Sequence, residues 1–86
     1  MNADFTKAFN KQFEKLPFKR QQLAKETVEL FLDDINAASL RTHPLKGEWL
    51  GYYSISAGGD LRLHFKLIDE NTVLFVAVGS HSQLYK

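Results

Sequence analysis

Eighty-six residues make one domain with a compact core, and 44% hydrophobic with 24% charged residues places the chain among globular rather than disordered proteins. The absence of cysteine excludes disulfides and thiolate metal sites, and no apolar run nears the roughly 18 residues that span a bilayer. A net charge of +1 lacks the basic excess of proteins that live on a phosphate backbone, so any nucleic-acid reading has to rest on local arrangement.

In chain order, the opening MNADFTKAFNKQF is charged and amide-rich and holds no signal-peptide core. The expectation is a single domain over residues 1–86, soluble and cytoplasmic, with no membrane partner. Asp4 is placed to cap a first helix carrying Phe5, Phe9, Phe13 and Leu16 at near-helical spacing, with Lys7, Lys11 and Lys15 on its other side. Pro17 stops that helix, because its ring removes a donor and disfavours helix in the residue before it. A second helix runs from about Phe18 to about Ile35, with Leu23, Thr27, Leu30, Phe31 and Ile35 as its apolar stripe. Together they read as a helical hairpin turning at Leu16-Pro17-Phe18.

Asn36 to Gly47 reads as a loop, in which Thr42-His43-Pro44 is biased towards extended backbone. Trp49 to Ser56 has strand composition, and Ala57-Gly58-Gly59 reads as a hairpin turn. From Asp60 to Leu67 the residues alternate, with Leu61, Leu63, Phe65 and Leu67 on one face and Asp60, Arg62, His64 and Lys66 on the other. Asp69-Glu70-Asn71 forms a second turn, and Val73 to Val78, apolar on both faces, reads as a strand covered on both sides. After Gly79 the chain is expected to trail as a short strand or an extended tail. The predicted fold class is α+β: an N-terminal helical hairpin on one face of a three- to four-stranded antiparallel sheet. That leaves the second sheet face for function.

By itself the row Asp60, Arg62, His64, Lys66 reads as a solvated polar face, the usual state of an antiparallel sheet. His43 beside a proline and His81 just past the glycine that ends a strand add side chains where functional groups concentrate. The histidine spacings of 21 and 17 residues match no common metal-ligand pattern. Gly-rich phosphate loops and an ordered Ser-His-Asp set are absent as well.

The stretch THPLKGEWLGYYSISAGGDLRLHFKL, followed by VGSHSQLY, resembles the RelE/ParE superfamily of toxins from type II toxin–antitoxin systems, nearest its YafQ-like branch. The matching elements are His-Pro-Leu-x-Gly-x-Trp-x-Gly-Tyr, Asp-x-Arg on the next strand, and Gly-x-His-x-x-Leu-Tyr at the end. They cover roughly the last half of the chain in the same order. The resemblance implies a microbial ribonuclease-like fold and an mRNA interferase that cuts mRNA at the ribosome without metal or cofactor, with a cognate antitoxin as partner. It puts His43, Asp60, Arg62 and His81 at catalytic positions, His81 as general acid and Arg62 on the phosphate. Tyr85 falls at the C-terminal aromatic that stacks on a base, and Lys46, His64 and Lys66 are expected to hold substrate.

The chain departs from the pattern at Ser54 and Ser56, where RelE has lysines and YafQ-like members carry a histidine just before the turn. Its N-terminus looks too short for the first strand, leaving a sheet edge open or supplied by a partner. Two alternatives stay open from sequence: a ParE-like toxin acting on gyrase, and an inactive homologue that only binds antitoxin.

Overall fold

The computed structural model describes residues 1–85. Five strands form one sheet: β1 (Asn2–Phe5), β2 (His43–Pro44), β3 (Tyr53–Ser56), β4 (Leu61–Asp69) and β5 (Thr72–Ser80), in the order β1-β5-β4-β3-β2. Helices α1 (Lys7–Glu14) and α2 (Phe18–Asp33) follow β1, and a single helical turn, α3 (His81–Leu84), follows β5. The α+β class with a helical hairpin on one sheet face is as expected; the strand count is five rather than three or four.

The extra strand is the N-terminal one. Asn2 to Phe5 pairs in parallel with β5, from Asn2 opposite Thr72 to Phe5 opposite Phe75. The expected open edge is therefore filled by the chain itself. Four residues are too few to display an alternation, which is why this strand was hidden in the sequence. Thr6, not Asp4, caps α1: its hydroxyl accepts the Phe9 N–H at 3.1 Å and donates to the Val76 carbonyl at 3.3 Å. That second bond fastens the start of the helix to the sheet.

Pro17 starts α2 as its N-cap, and its carbonyl accepts the N–H groups of Arg20 and Gln21. The helix buries Ala24, Thr27 and Phe31, spaced by three and four residues. The predicted stripe is rotated: Leu23, Leu30 and Ile35 are exposed. Under the helices, Phe31, Phe65 and Phe75 interlock with ring centroids 4.7 to 5.8 Å apart, each tilted or edge-on to the next. Leu61 and Leu63 complete this face of β4, but Leu67 lies beyond the helices and is exposed.

Ala57, Gly58 and Gly59 turn β3 into β4 with both glycines at positive φ, which a side chain would strain. Farther along, the register shifts between His64, opposite Ala77, and Phe65, opposite Phe75. Val76 is thus the extra residue of a β-bulge, next to the pairing of Ala77 with His64. At the end of β5, the predicted strand or tail is a capped turn of helix. The Ser80 hydroxyl accepts the Gln83 N–H while the Gln83 side chain accepts the Ser80 N–H, so α3 begins abruptly after the strand.

Candidate active site on the open sheet face

The antiparallel register lines up His43, Ser54, His64 and Ala77 across four strands. Ile55 and Leu63 belong to the core on the helix side, so Ser54, Arg62 and His64 point to the other face. There His64 is covered. Its ring lies 4.5 Å from Trp49, nearly perpendicular to it, and 5.2 Å from Tyr85, whose hydroxyl stands 3.2 Å from Nε2.

The row read from β4 is therefore solvated only in part. His64, expected to hold substrate, has no exposed surface and cannot touch an RNA directly. The reason lies in distant segments: the loop carrying Trp49 and the C-terminal turn carrying Tyr85 close over it. Burial pushes its pKa down to about 4, and charge on His43 and His81 acts in the same sense, so the ring is neutral near neutrality. Its Nδ1 and the facing Ser54 hydroxyl, both buried, have no partner among the described residues.

α3 folds back over this face close against Gly79. A Cβ there would come within 3.0 Å of Gln83 Oε1 and 3.5 Å of a Leu84 methyl. The Trp49 indole N–H donates to the Leu84 carbonyl at 3.2 Å, and the His81 backbone N–H donates to the Asp60 carbonyl at 2.9 Å. The exposed His81 ring rests 4.4 Å from that of Tyr85. Arg62 lies two residues from His64 on the same side of β4, roughly 6.5–7 Å along the strand. Since Tyr85 touches both His64 and His81, Arg62 and His81 share one side of the sheet.

Arg62 is held by its Nη1, which donates to the Gly59 and Leu61 carbonyls at 2.9 and 3.0 Å and to the Ser56 hydroxyl at 3.2 Å. Its Nε and Nη2 make no hydrogen bond among the described residues. His43 is exposed on β2, and its Nδ1 lies 2.9 Å from the Arg41 carbonyl. A carbonyl only accepts, so Nδ1 carries the proton and Nε2 of the neutral ring presents a bare lone pair.

The remaining predicted residues are more dispersed. The Asp60 carboxylate turns to Arg20 of α2, at 2.9 Å, and is held below the usual carboxylate range chiefly by that bond, with Arg62 adding to the effect. Lys66 lies over the Tyr52 ring at 5.6 Å, and Lys46 is exposed in the loop before Trp49. Sequence reasoning overlooked three contributors. Trp49 walls His64, Ser56 stands where the family pattern has other residues yet orients Arg62, and Arg20 of α2 holds Asp60. Only Trp49 carries a signal, since even a half-buried indole N–H needs an acceptor. Among the described residues no three His, Cys, Asp or Glu side chains are grouped to hold a metal ion.

A family model described as "Bacterial toxin of type II toxin-antitoxin system, YafQ" matches residues 1–86. The crystal structure of YafQ from E. coli strain BL21(DE3) superposes with a TM-score of 0.81 at 24% identity, over 99% of this chain and 98% of that one. The toxin in the E. coli DinJ–YafQ toxin–antitoxin complex gives 0.78 at 26% identity, over 99% and 97%. A YoeB/ParE toxin from Agrobacterium tumefaciens gives 0.77 at 15% identity, over 94% and 99%, a likeness of fold alone. No curated protein matches the chain in sequence.

Proposed function

The chain belongs to the YafQ family of bacterial toxins of type II toxin–antitoxin systems, and from that premise we propose that it is an endoribonuclease that cuts mRNA at the ribosome. The observation that carries this reading is the sharing of one sheet face by Arg62 and His81, with His43 at the edge of the same row.

In the proposed reaction the ribose 2′ oxygen attacks the adjacent phosphorus. Its proton passes to Nε2 of His43, the face left bare by the bond to Arg41. The free edge of the Arg62 guanidinium binds the non-bridging oxygens and offsets the charge that builds in the phosphorane. The bond from phosphorus to the 5′ oxygen breaks, and His81, entering as imidazolium, gives that oxygen its proton. The products are a 2′,3′-cyclic phosphate and a 5′ hydroxyl. Asp60 stays ionised and acts beside His81 through its backbone and beside Arg62 through its charge. Tyr85 offers its ring to a base, and Lys46 and Lys66 attract the phosphates on either side.

The partner in the cell is a cognate antitoxin, as in the E. coli DinJ–YafQ complex. The test is primer extension on an mRNA after induction, wild type beside His81→Ala, with and without the small open reading frame next to the gene. Cuts in the wild type that vanish in the variant and on co-expression support the reading. Growth arrest through gyrase with intact mRNA overturns it.

A further inference from the structure

We propose that His64 and Trp49 are positioning residues that clamp the single turn α3 and thereby aim His81. This rests on the reading of His81 as the proton donor. The observations are independent of sequence motifs. α3 is one turn long, and an isolated turn of that length has no stability of its own, so its orientation is set by what it is tied to.

Two ties reach it from the sheet face. The Trp49 indole N–H binds the Leu84 carbonyl at 3.2 Å, and His64 Nε2 meets the Tyr85 hydroxyl at 3.2 Å. Both come at the C-terminal end of the turn, whereas the Ser80–Gln83 capping box fixes the other end. Trp49 and His64 also brace each other, with rings 4.5 Å apart and nearly perpendicular. Tyr85 passes the constraint on, because its ring lies 4.4 Å from the imidazole of His81.

His64 is fully buried, so its effect on the reaction runs through Tyr85 rather than through the RNA. A phenylalanine in place of His64 would fill similar space and leave the tyrosine hydroxyl without its partner. Tyr85→Phe removes the other half of the same bond and keeps the ring for stacking.

The experiment uses the full chain as wild type, His64→Phe, His64→Gln, Tyr85→Phe, Trp49→Phe and the His64→Phe/Tyr85→Phe double variant. Thermal melts first establish that each is folded. Single-turnover cleavage of mRNA on translating ribosomes and the pH titration of the His81 ring proton by NMR are then measured. Both His64→Phe and Tyr85→Phe should lower the maximal rate on the order of 10²-fold, the scale of a misplaced catalytic group, with half-saturation unchanged. The double variant should be no slower than either single one, because both remove one bond. Trp49→Phe should fall in the same direction, and His64→Gln, whose amide still reaches the hydroxyl, should recover part of the rate.

In His64→Phe and Tyr85→Phe alike the His81 titration midpoint should move. Folded variants that cut at the wild-type rate, or an unmoved His81 titration, overturn the clamp. Should the wild type itself cut no RNA, the reading of the reaction fails, and the His81 resonance alone decides the clamp: a shift in both variants supports it and an unmoved signal overturns it.

Discussion

Arg20 Nη2 lies 2.9 Å from Asp60 Oδ1, so a helix packed on one side of the sheet grips the turn that leads into the polar side. The same Asp60 accepts the His81 N–H through its backbone carbonyl. One residue therefore ties the start of α2 to the start of α3.

Breaking that pair should free Asp60 without unfolding the protein. Arg20→Ala removes the largest cause of the lowered Asp60 pKa, so the carboxyl should titrate closer to its ordinary 3.8. In the wild type the group is charged above that value and adds stability there, which fades as pH falls through its lowered native pKa. Both partners are exposed, so the loss of stability should be small. NMR titration of the Asp60 side chain beside a melting curve reads both effects.

His64 gives acid sensitivity of larger size. Its native pKa of about 4 lies below the unfolded value of 6.5, so the unfolded chain binds the extra proton first. Stability should be complete above pH 6.5 and should fall by up to about 3 kcal/mol towards pH 4. Urea midpoints measured across that window should show the slope in the wild type and lose most of it in His64→Phe.

The three-ring centre of the core sets the stability of the whole molecule. Phe31 is fully buried between Phe65 and Phe75, so Phe31→Ala should cost about 3–5 kcal/mol. Urea unfolding followed by circular dichroism measures it.

Arg62 should tolerate no exchange for lysine. Ser56, Gly59 and Leu61 fix one arm of a planar fork, and a lysine has no second arm to present to a phosphate. Arg62→Lys and Arg62→Ala should both reduce cleavage, the latter by about 10²–10³-fold, with melting points close to wild type. Rates on translating ribosomes check this.

Much of the fold was legible where pattern and length agreed. Pro17 marked the break between two helices, the Gly58-Gly59 turn placed the β3–β4 hairpin, and alternation in Leu61, Leu63 and Phe65 identified the buried face. β1 escaped because four residues beside a helix read as part of it, and α2 was misphased because all three of its leucines are exposed while Ala24, Thr27 and Phe31 are the buried positions. α3 was missed for a subtler reason: its signal is the Ser80–Gln83 capping box, and one turn carries no periodicity. In the site, Arg62, His43 and His81 were nameable from motifs. The burial of His64 was not, since it depends on Trp49 and Tyr85 arriving from segments fifteen residues before and twenty-one after it.

The most direct measurement is the rate at which the purified protein cuts an mRNA on translating ribosomes, wild type beside His81→Ala, with both proteins shown to be folded. The account requires 2′,3′-cyclic phosphate ends from the wild type and a loss of roughly 10²-fold or more in the variant. A folded His81→Ala that cuts as fast as wild type, or a folded wild type that leaves the message whole, contradicts it.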